Sequence, residues 1–201
     1  MKLYSILVFY KDQETSQAQV LKSAYDLASF SFFNRSSVQD FMHFTGKLLV
    51  ERSGSGSRAS VTEQGYCLHV FLKNDGLAGV CVTDNEYQQR VAFTMLTRVL
   101  DDFTTKVHSS QWVKIKKETD CQYNGLSAFL AKWQTPSEAD PMTKVQEEVE
   151  ETKVVMHQTI QSVLDRGEKL DDLVKKSDAL SEQSKLFYTQ ARKMNKCCNY
   201  V

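Results

Sequence analysis

Residues 163–173 read VLDRGEKLDDL, and this stretch decides the architecture of the last third of the chain. From residue 142 to residue 194, sixteen positions follow one another at alternating steps of three and four residues, and eleven of them carry apolar side chains. Such spacing predicts one long helix with a coiled-coil seam, about 80 Å from end to end. The seam positions are Met142, Val145, Val149, Thr152, Met156, Thr159, Val163, Arg166, Leu170, Leu173, Ser177, Leu180, Ser184, Phe187, Ala191 and Met194.

Arg166 stands at the middle of this seam, between Val163 and Leu170. A guanidinium in an apolar layer is costly unless several acceptors meet it, and two facing arginines would repel each other. Three neutral amide side chains from partner helices would satisfy its donors, and a single polar layer would set the register. The residues alone leave two other interpretations open: a homodimeric coiled coil, and an Arg166 that extends to solvent at the edge of the seam.

A helix with this composition is not expected to be stable alone. Burial of eleven apolar side chains stabilises it by less than the conformational entropy that ordering the whole stretch costs. The seam therefore needs partner helices or a docking surface on the rest of the chain.

The preceding region predicts a separate α+β domain. Both prolines, Pro136 and Pro141, fall within residues 134–141, which we interpret as a linker after a domain over residues 1–133. An apolar helix should begin near Val38, capped by Ser36 or Ser37, and a second helix should be capped by Asp84 or Asn85. The predicted strands of a mostly antiparallel sheet are residues 3–10, 18–27, 58–63, 66–73 and 77–83.

The motif around Arg166 resembles the central layer of the R-SNARE proteins, in which an arginine meets three glutamines in a parallel four-helix bundle. Four stretches resemble a longin domain, a profilin-like fold with a five-stranded sheet and flanking helices. They are residues 1–11 (MKLYSILVFYK), 29–44 (SFSFFNRSSVQDFMHF), 58–66 (RASVTEQGY) and 84–93 (DNEYQQRVAF). The resemblance implies an R-SNARE motif over residues 138–198, with Val163, Leu170 and Leu173 in the layers beside Arg166. It also implies three Q-SNARE helices as partners.

The C-terminus predicts a lipid anchor. Cys198-Asn199-Tyr200-Val201 has the geometry of a prenylation signal, and Cys197 could carry a palmitoyl chain. The combination resembles the prenylated longin R-SNAREs that lack a transmembrane helix, which implies farnesyl on Cys198 and no cofactor besides these covalent lipids. Asn199 is not aliphatic and Val201 lies outside the usual terminal set. The alternative is a pair of exposed thiols.

Phe44 is a candidate docking residue on the first helix. It lies about 100° from the centre of the apolar stripe, just off the core face. The resemblance implies that the SNARE segment folds back on the longin domain at this helix, and that the domain regulates the segment. A partly buried residue at the edge of the core is the equally open alternative.

Composition and motifs exclude several other functions. With 25 basic and 25 acidic residues, the chain lacks the positive excess of a general nucleic-acid binder. The longest apolar runs are too short to cross a bilayer, and the four histidines show no metal-ligand spacing. Residues 166–196 carry eight basic against five acidic residues, which would favour anionic headgroups beside the anchor.

We therefore expect a non-enzymatic fusion protein that exchanges between the cytosol and the cytoplasmic face of Golgi and vesicle membranes. It would act in ER–Golgi, intra-Golgi and endosomal or vacuolar transport, as the resemblance implies. Two alternatives remain: a self-acylating longin protein with Cys197 as the acyl acceptor, and a lipid-anchored coiled-coil tether that forms no four-helix bundle.

Overall fold

The computed structural model describes residues 1–139 and 154–197. Seam positions 142, 145, 149 and 152 and the predicted farnesyl site Cys198 lie outside these residues. The strands are β1 (Leu3–Lys11), β2 (Ala18–Tyr25), β3 (Arg58–Glu63), β4 (Tyr66–Leu72), β5 (Leu77–Asp84) and β6 (Val154–His157). The helices are α1 (Arg35–Arg52), α2 (Gln89–Lys106), α3 (Ser109–Trp112), α4 (Leu126–Lys132), α5 (Pro136–Ala139), α6 (Leu170–Lys176) and α7 (Glu182–Cys197). Short 3₁₀ helices occupy Phe32–Asn34, Glu118–Asp120 and Ile160–Val163.

One sheet with strand order β2-β1-β5-β4-β3-β6 organises the fold. The first five strands pair antiparallel, whereas β6 pairs parallel to β3, with Arg58 opposite Val154 and Val61 opposite His157. This confirms the predicted α+β class and longin-type sheet, with six strands rather than five. The sixth strand comes from the C-terminal segment, which the periodicity assigned to a helix.

Each face of the sheet has its own core. Strand β1 is buried on both faces because α2 covers one of them and α1 the other: Ile6 and Val8 belong to the first core, Leu7 and Phe9 to the second. On the α2 side, α3 and α4 complete the core with Trp112 and Leu130 from within the first 133 residues. On the α1 side, residues from 160 onward complete it.

Helices α1 and α2 differ from their predicted starts. Helix α1 begins at Arg35 with Asn34 as N-cap, and α2 begins at Gln89 with Gln88 as N-cap; neither cap residue makes a side-chain hydrogen bond to the helix. The predicted caps Ser36 and Ser37 lie inside α1, where Ser37 is buried. Pro136 opens α5 within the predicted linker, at a first-turn position where a missing N–H costs nothing.

The C-terminal segment is folded in pieces rather than as one helix over the described part. Strand β6, a 3₁₀ turn, α6 and α7 follow one another, and Gly167 has a positive φ of 95° between the turn and α6. The continuous helix predicted from the heptads is therefore absent from residues 154–197 in this conformation. The reason is that the seam finds its cover on α1, and reaching that face requires the chain to bend at Gly167.

A buried histidine lies in the sheet between β3 and β5. His69 on β4 is 3% exposed, with Nδ1 2.8 Å from the Ser60 hydroxyl and Nε2 3.4 Å from the Thr83 hydroxyl. The ring of Phe93 packs edge-on against it. Desolvation by burial lowers the pKa of His69 to about 4.

This pKa predicts a specific dependence of stability on pH. The unfolded chain protonates His69 near pH 6.5, the folded chain only near pH 4, so the unfolded state gains protons first as the pH falls. We expect the free energy of unfolding to fall through this window by about 3 kcal/mol more in the wild type than in His69→Gln. Denaturant titrations at several pH values measure this difference. The exposed His108→Gln is the control, and parallel pH profiles for wild type and His69→Gln would contradict the prediction.

Candidate functional site

The candidate site is the face of α1 that binds the C-terminal segment. Val38, Met42 and Leu49 of α1 lie in one core with Leu170, Val174 and Leu180 of that segment, together with Ile160, which is 1% exposed. At the start of this contact, the backbone N–H of Ile160 donates a 2.9 Å hydrogen bond to Glu63 Oε2 at the end of β3. The segment thus continues from an added strand directly onto the helix.

Helix α7 is bound to α1 by a polar and an aromatic contact. Asp40 Oδ2 accepts hydrogen bonds from the hydroxyls of Ser184, at 2.8 Å, and Ser181, at 3.2 Å. Ser184 is buried, so without this acceptor its hydroxyl would lose one of its two partners. One residue along α1, the Phe41 ring stacks on Tyr188 with centroids 5.2 Å apart.

A second polar cluster joins α6 to α7. The Tyr188 hydroxyl donates a 2.8 Å hydrogen bond to Asp171 Oδ1, and Arg192 forms an ion pair with the same carboxylate. Burial raises the pKa of Tyr188 to about 12, so the phenol stays protonated as the donor. These contacts fix α6 and α7 relative to each other while both lie on α1.

Arg52 at the end of α1 binds the acidic residues on both sides of Arg166. Its Nη2 donates to both carboxylate oxygens of Glu168, at 2.7 and 2.9 Å, and its Nε lies 3.6 Å from Asp165 Oδ2. The hydrogen bonds from Arg52 lower the pKa of Glu168. These charge-assisted hydrogen bonds from one nitrogen, with the Asp165 ion pair beside them, hold the Gly167 turn against the end of α1.

Arg166 itself is exposed, and it has no hydrogen bond or ion pair within residues 1–139 and 154–197. The predicted flanking-layer residues behave differently: Leu170 is buried in the α1 core, while Val163 and Leu173 are half-buried against it. The structure thus brings the three apolar residues to the longin domain and leaves the arginine in solvent. Their roles in a bundle stay predictions.

Phe44 is half-buried at the edge of the same core. Its ring centroid lies 6.2 Å from that of Phe41, which in turn stacks on Tyr188. It is therefore one aromatic ring away from the bound segment. The docking role of Phe44 stays a prediction, and Phe41 makes the closer contact to the segment.

A cavity of about 880 Å³ lies between the longin domain and the bound segment. Its wall is largely apolar and comes from both parts of the chain, with Phe30, Val38 and Leu68 on one side and Phe187 and Ala191 on the other. Pockets for small organic ligands commonly have about 300–1,000 Å³ and apolar walls. Helix α7, which contributes Ala191, ends at Cys197, the predicted palmitoyl site.

Comparisons with known proteins place this arrangement in a family. A family model for the regulated-SNARE-like Longin domain matches residues 27–130, and the Synaptobrevin model matches residues 141–199. The chain belongs to the longin-domain synaptobrevin family of R-SNAREs. Synaptobrevin homolog ykt6 of Schizosaccharomyces pombe is 46% identical to this R-SNARE over 198 residues, 98% of each chain. The Synaptobrevin homologs YKT6 of Eremothecium gossypii and Saccharomyces cerevisiae are 45% and 43% identical, also over 98% of each chain.

Membership confirms the predicted resemblance, and a synaptobrevin-type segment implies SNARE partners and a place in vesicle transport. The relatives are named as synaptobrevin homologs rather than as enzymes. Among residues 1–139 and 154–197 of this R-SNARE, no helix combines the length and the apolar run that crossing a bilayer requires. The domain boundaries and the individual site residues stay predictions.

Four residues hold the segment in place, and the sequence assigned a contact role only to the seam position Ser184 and none to Arg52, Asp40 or Tyr188. Ser184 stands in the heptad pattern as a polar residue, and that irregularity was a usable signal for a polar partner. Asp40 and Arg52 carried no such signal in the sequence, because nothing local in α1 distinguishes them from other charged residues on a solvated helix face.

The Asp40 contact predicts how firmly α7 is held. Asp40→Ala should lower the free energy of opening of α7 by about 1.5–3 kcal/mol, because the buried Ser184 hydroxyl loses a charged acceptor. Amide hydrogen exchange in α7 should then become about 10- to 100-fold faster, while α2 amides keep their rate.

Asp101→Ala is the matched control, since Asp101 is an exposed aspartate on α2, paired with Lys73 on the opposite side of the sheet. Equal α7 exchange rates in the wild type and Asp40→Ala would show that this contact does not hold the segment.

Proposed function

We propose that this chain is a lipid-anchored R-SNARE that forms a four-helix bundle with three Q-SNARE helices and so drives vesicle docking and membrane fusion. Its setting would be ER–Golgi, intra-Golgi and endosomal or vacuolar transport, on the cytoplasmic face of Golgi and vesicle membranes, with a cytosolic pool. The family supports the SNARE assignment. The finer statements rest on the arrangement of the C-terminal segment.

The observation that carries the proposal is the placement of Arg166. A guanidinium in the middle of an apolar seam is favourable only where hydrogen-bond acceptors surround it. In this conformation Arg166 has no acceptor within the described residues. Its place on the seam is therefore matched to a different assembly. Three glutamine side chains of partner helices would supply neutral acceptors for its five donors.

The bound conformation would regulate this assembly by competition. Leu170, Leu180 and Ser184 belong to the heptad seam, and the same three residues are buried against α1. A side chain cannot pack on α1 and in a bundle core together, so bundle formation must first release the segment from the longin domain. The longin domain thereby lowers the population that is competent for assembly.

Replacement of Arg166 separates the two assemblies. In Arg166→Ala the free full-length chain should keep its melting temperature, because the side chain is exposed there. The complex with three Q-SNARE helices should lose about 1–3 kcal/mol of stability, because buried glutamine amides lose their partner. Circular dichroism melts of the free chain and of the purified complex measure both quantities.

Lys169→Ala is the control, since Lys169 is an exposed cation three residues away that lies outside the seam. A complex of unchanged stability with Arg166→Ala would contradict the central-layer role. If residues 138–196, free of the longin domain, gain no helicity and form no SDS-resistant complex with the Q-SNARE helices, the bundle-forming role is wrong.

The two terminal cysteines would supply the membrane anchor. Farnesyl on Cys198 alone gives reversible binding, and a palmitoyl chain on Cys197 makes the attachment persistent. In the cytosolic pool the prenyl chain needs cover from water, and the open, largely apolar cavity beside α7 would offer it. Release of the segment would then expose both the seam and the lipid.

Phe44→Glu tests this link between the bound segment and the anchor. A carboxylate at the edge of the aromatic pair would weaken the packing of Phe41 on Tyr188, and so it should release the segment. We expect a larger membrane fraction of the prenylated protein in cell fractionation. Gln39→Glu adds the same charge at an exposed position of α1 and should leave the fraction unchanged. An unchanged membrane fraction in Phe44→Glu would argue against the closed, lipid-sheltering form.

Self-acylation at Cys197 is a separate hypothesis with its own experiment. Purified full-length protein is incubated with palmitoyl-CoA and its intact mass is measured, with Cys197→Ser as the control. Incorporation of one acyl group that depends on Cys197 would show the activity, and an unchanged mass would exclude it under these conditions.

A further inference from the structure

Two adjacent phenylalanines project from the surface just before α1. Phe32 is 77% and Phe33 79% exposed, more than any other large apolar side chain whose burial the structure describes. Their rings contact each other edge to face, with centroids 5.8 Å apart. Exposed apolar residues are common singly, but two whole aromatic rings side by side have a free-energy cost in water that a purely structural role does not explain.

The turn that carries the pair is fixed rather than loose. Phe32 and Phe33 form a 3₁₀ turn, which the Asn34 N–H closes with a 2.9 Å hydrogen bond to the Ser31 carbonyl. Just before it, Phe30 points inward, where its ring contacts Tyr4 and stacks on Tyr66. Arg35 also braces the turn, since its Nε donates a 3.2 Å hydrogen bond to the Phe30 carbonyl. The two outer rings are therefore presented outward on a preorganised support.

The charges around the pair suit an anionic surface. Residues 28–39 contain no Asp or Glu and one arginine. Residues 187–196 contain no acidic residue but three basic ones, Lys193, Lys196 and Arg192, of which Arg192 is paired with Asp171. The two stretches lie near each other, because Phe30 and Arg192 line the same cavity. The turn that carries the aromatic pair and the part of α7 around Arg192 thus border the same cavity.

We propose that Phe32 and Phe33 form a membrane wedge that inserts into the headgroup region of an anionic bilayer. Rings that stand out of a convex turn can enter a lipid interface without any rearrangement of the chain, whereas a protein partner would have to supply a pocket for them. Apolar insertion and headgroup attraction add together in interfacial binding. The wedge rests on the proposed function only for the lipid anchor that would act together with it, and it would give the closed form a first, reversible contact with the target membrane.

Vesicle binding by the full chain tests the wedge directly. The chain carries Cys197→Ser and Cys198→Ser in every arm, so the outcome does not depend on lipidation. The vesicles contain phosphatidylcholine and phosphatidylserine at about 3:1. Phe32→Ser/Phe33→Ser should weaken partitioning by about tenfold, which corresponds to about 1.4 kcal/mol. Val113→Ser, which removes an exposed apolar residue just after α3 on the opposite side of the sheet, should leave partitioning unchanged.

A fluorescence measurement reports insertion itself. The emission of a Phe33→Trp variant should shift to the blue and be quenched by brominated acyl chains, whereas Trp112 and Trp133 are 2% and 1% exposed and should not be quenched. Melting curves verify that each variant is folded, as expected for rings whose aromatic contact is with each other.

Unchanged partitioning in Phe32→Ser/Phe33→Ser, or a Phe33→Trp emission that brominated lipid does not quench, would overturn the wedge. Loss of Q-SNARE binding in the double variant with normal vesicle binding would overturn it in favour of a protein-docking role. Failure of the proposed function has a different signature, namely no Arg166-dependent complex with Q-SNARE helices, and that result leaves the vesicle measurement intact.

Discussion

Cover for the apolar seam of the C-terminal segment is the constraint on which the rest of this structure depends. Burial of the seam residues Leu170 and Leu180 and of their neighbour Val174 is favourable, and the α1 face that carries Val38 and Met42 needs cover as well. Each of these two apolar surfaces removes the other from water. The result is one continuous core whose two halves are more than a hundred residues apart in the chain.

The two faces of the sheet differ in how permanently they are closed. On the α2 face, most of the core comes from the longin domain itself, including Phe93, Phe103 and Trp112, and the segment adds the partly buried Val154. On the α1 face, the segment is held by apolar packing, the Asp40 hydrogen bonds and the Arg52 ion pair. Under the proposed function, release of the segment would therefore open mainly this face of the sheet, which also carries the cavity.

The closed form leaves Arg166 unused. Its guanidinium stays in solvent beside the turn at Gly167, while apolar neighbours such as Leu170 pack on α1. Its acidic neighbours Asp165 and Glu168 instead bind Arg52. The residue that would define register in a bundle is thus the one that the closed conformation does not use.

The sequence by itself determined the longin-type sheet, the amphipathic α1 and the arginine motif, because each depends on a local pattern of period two or near 3.6 or on neighbouring residues. Tertiary structure alone decided that Val154–His157 becomes a sixth strand parallel to β3, and that the heptad residues bend onto α1. A heptad pattern predicts that a seam must be covered, but it does not distinguish between cover by partner helices and cover by α1. The choice depends on contacts such as Asp40 with Ser184, 144 residues apart, which no local pattern contains.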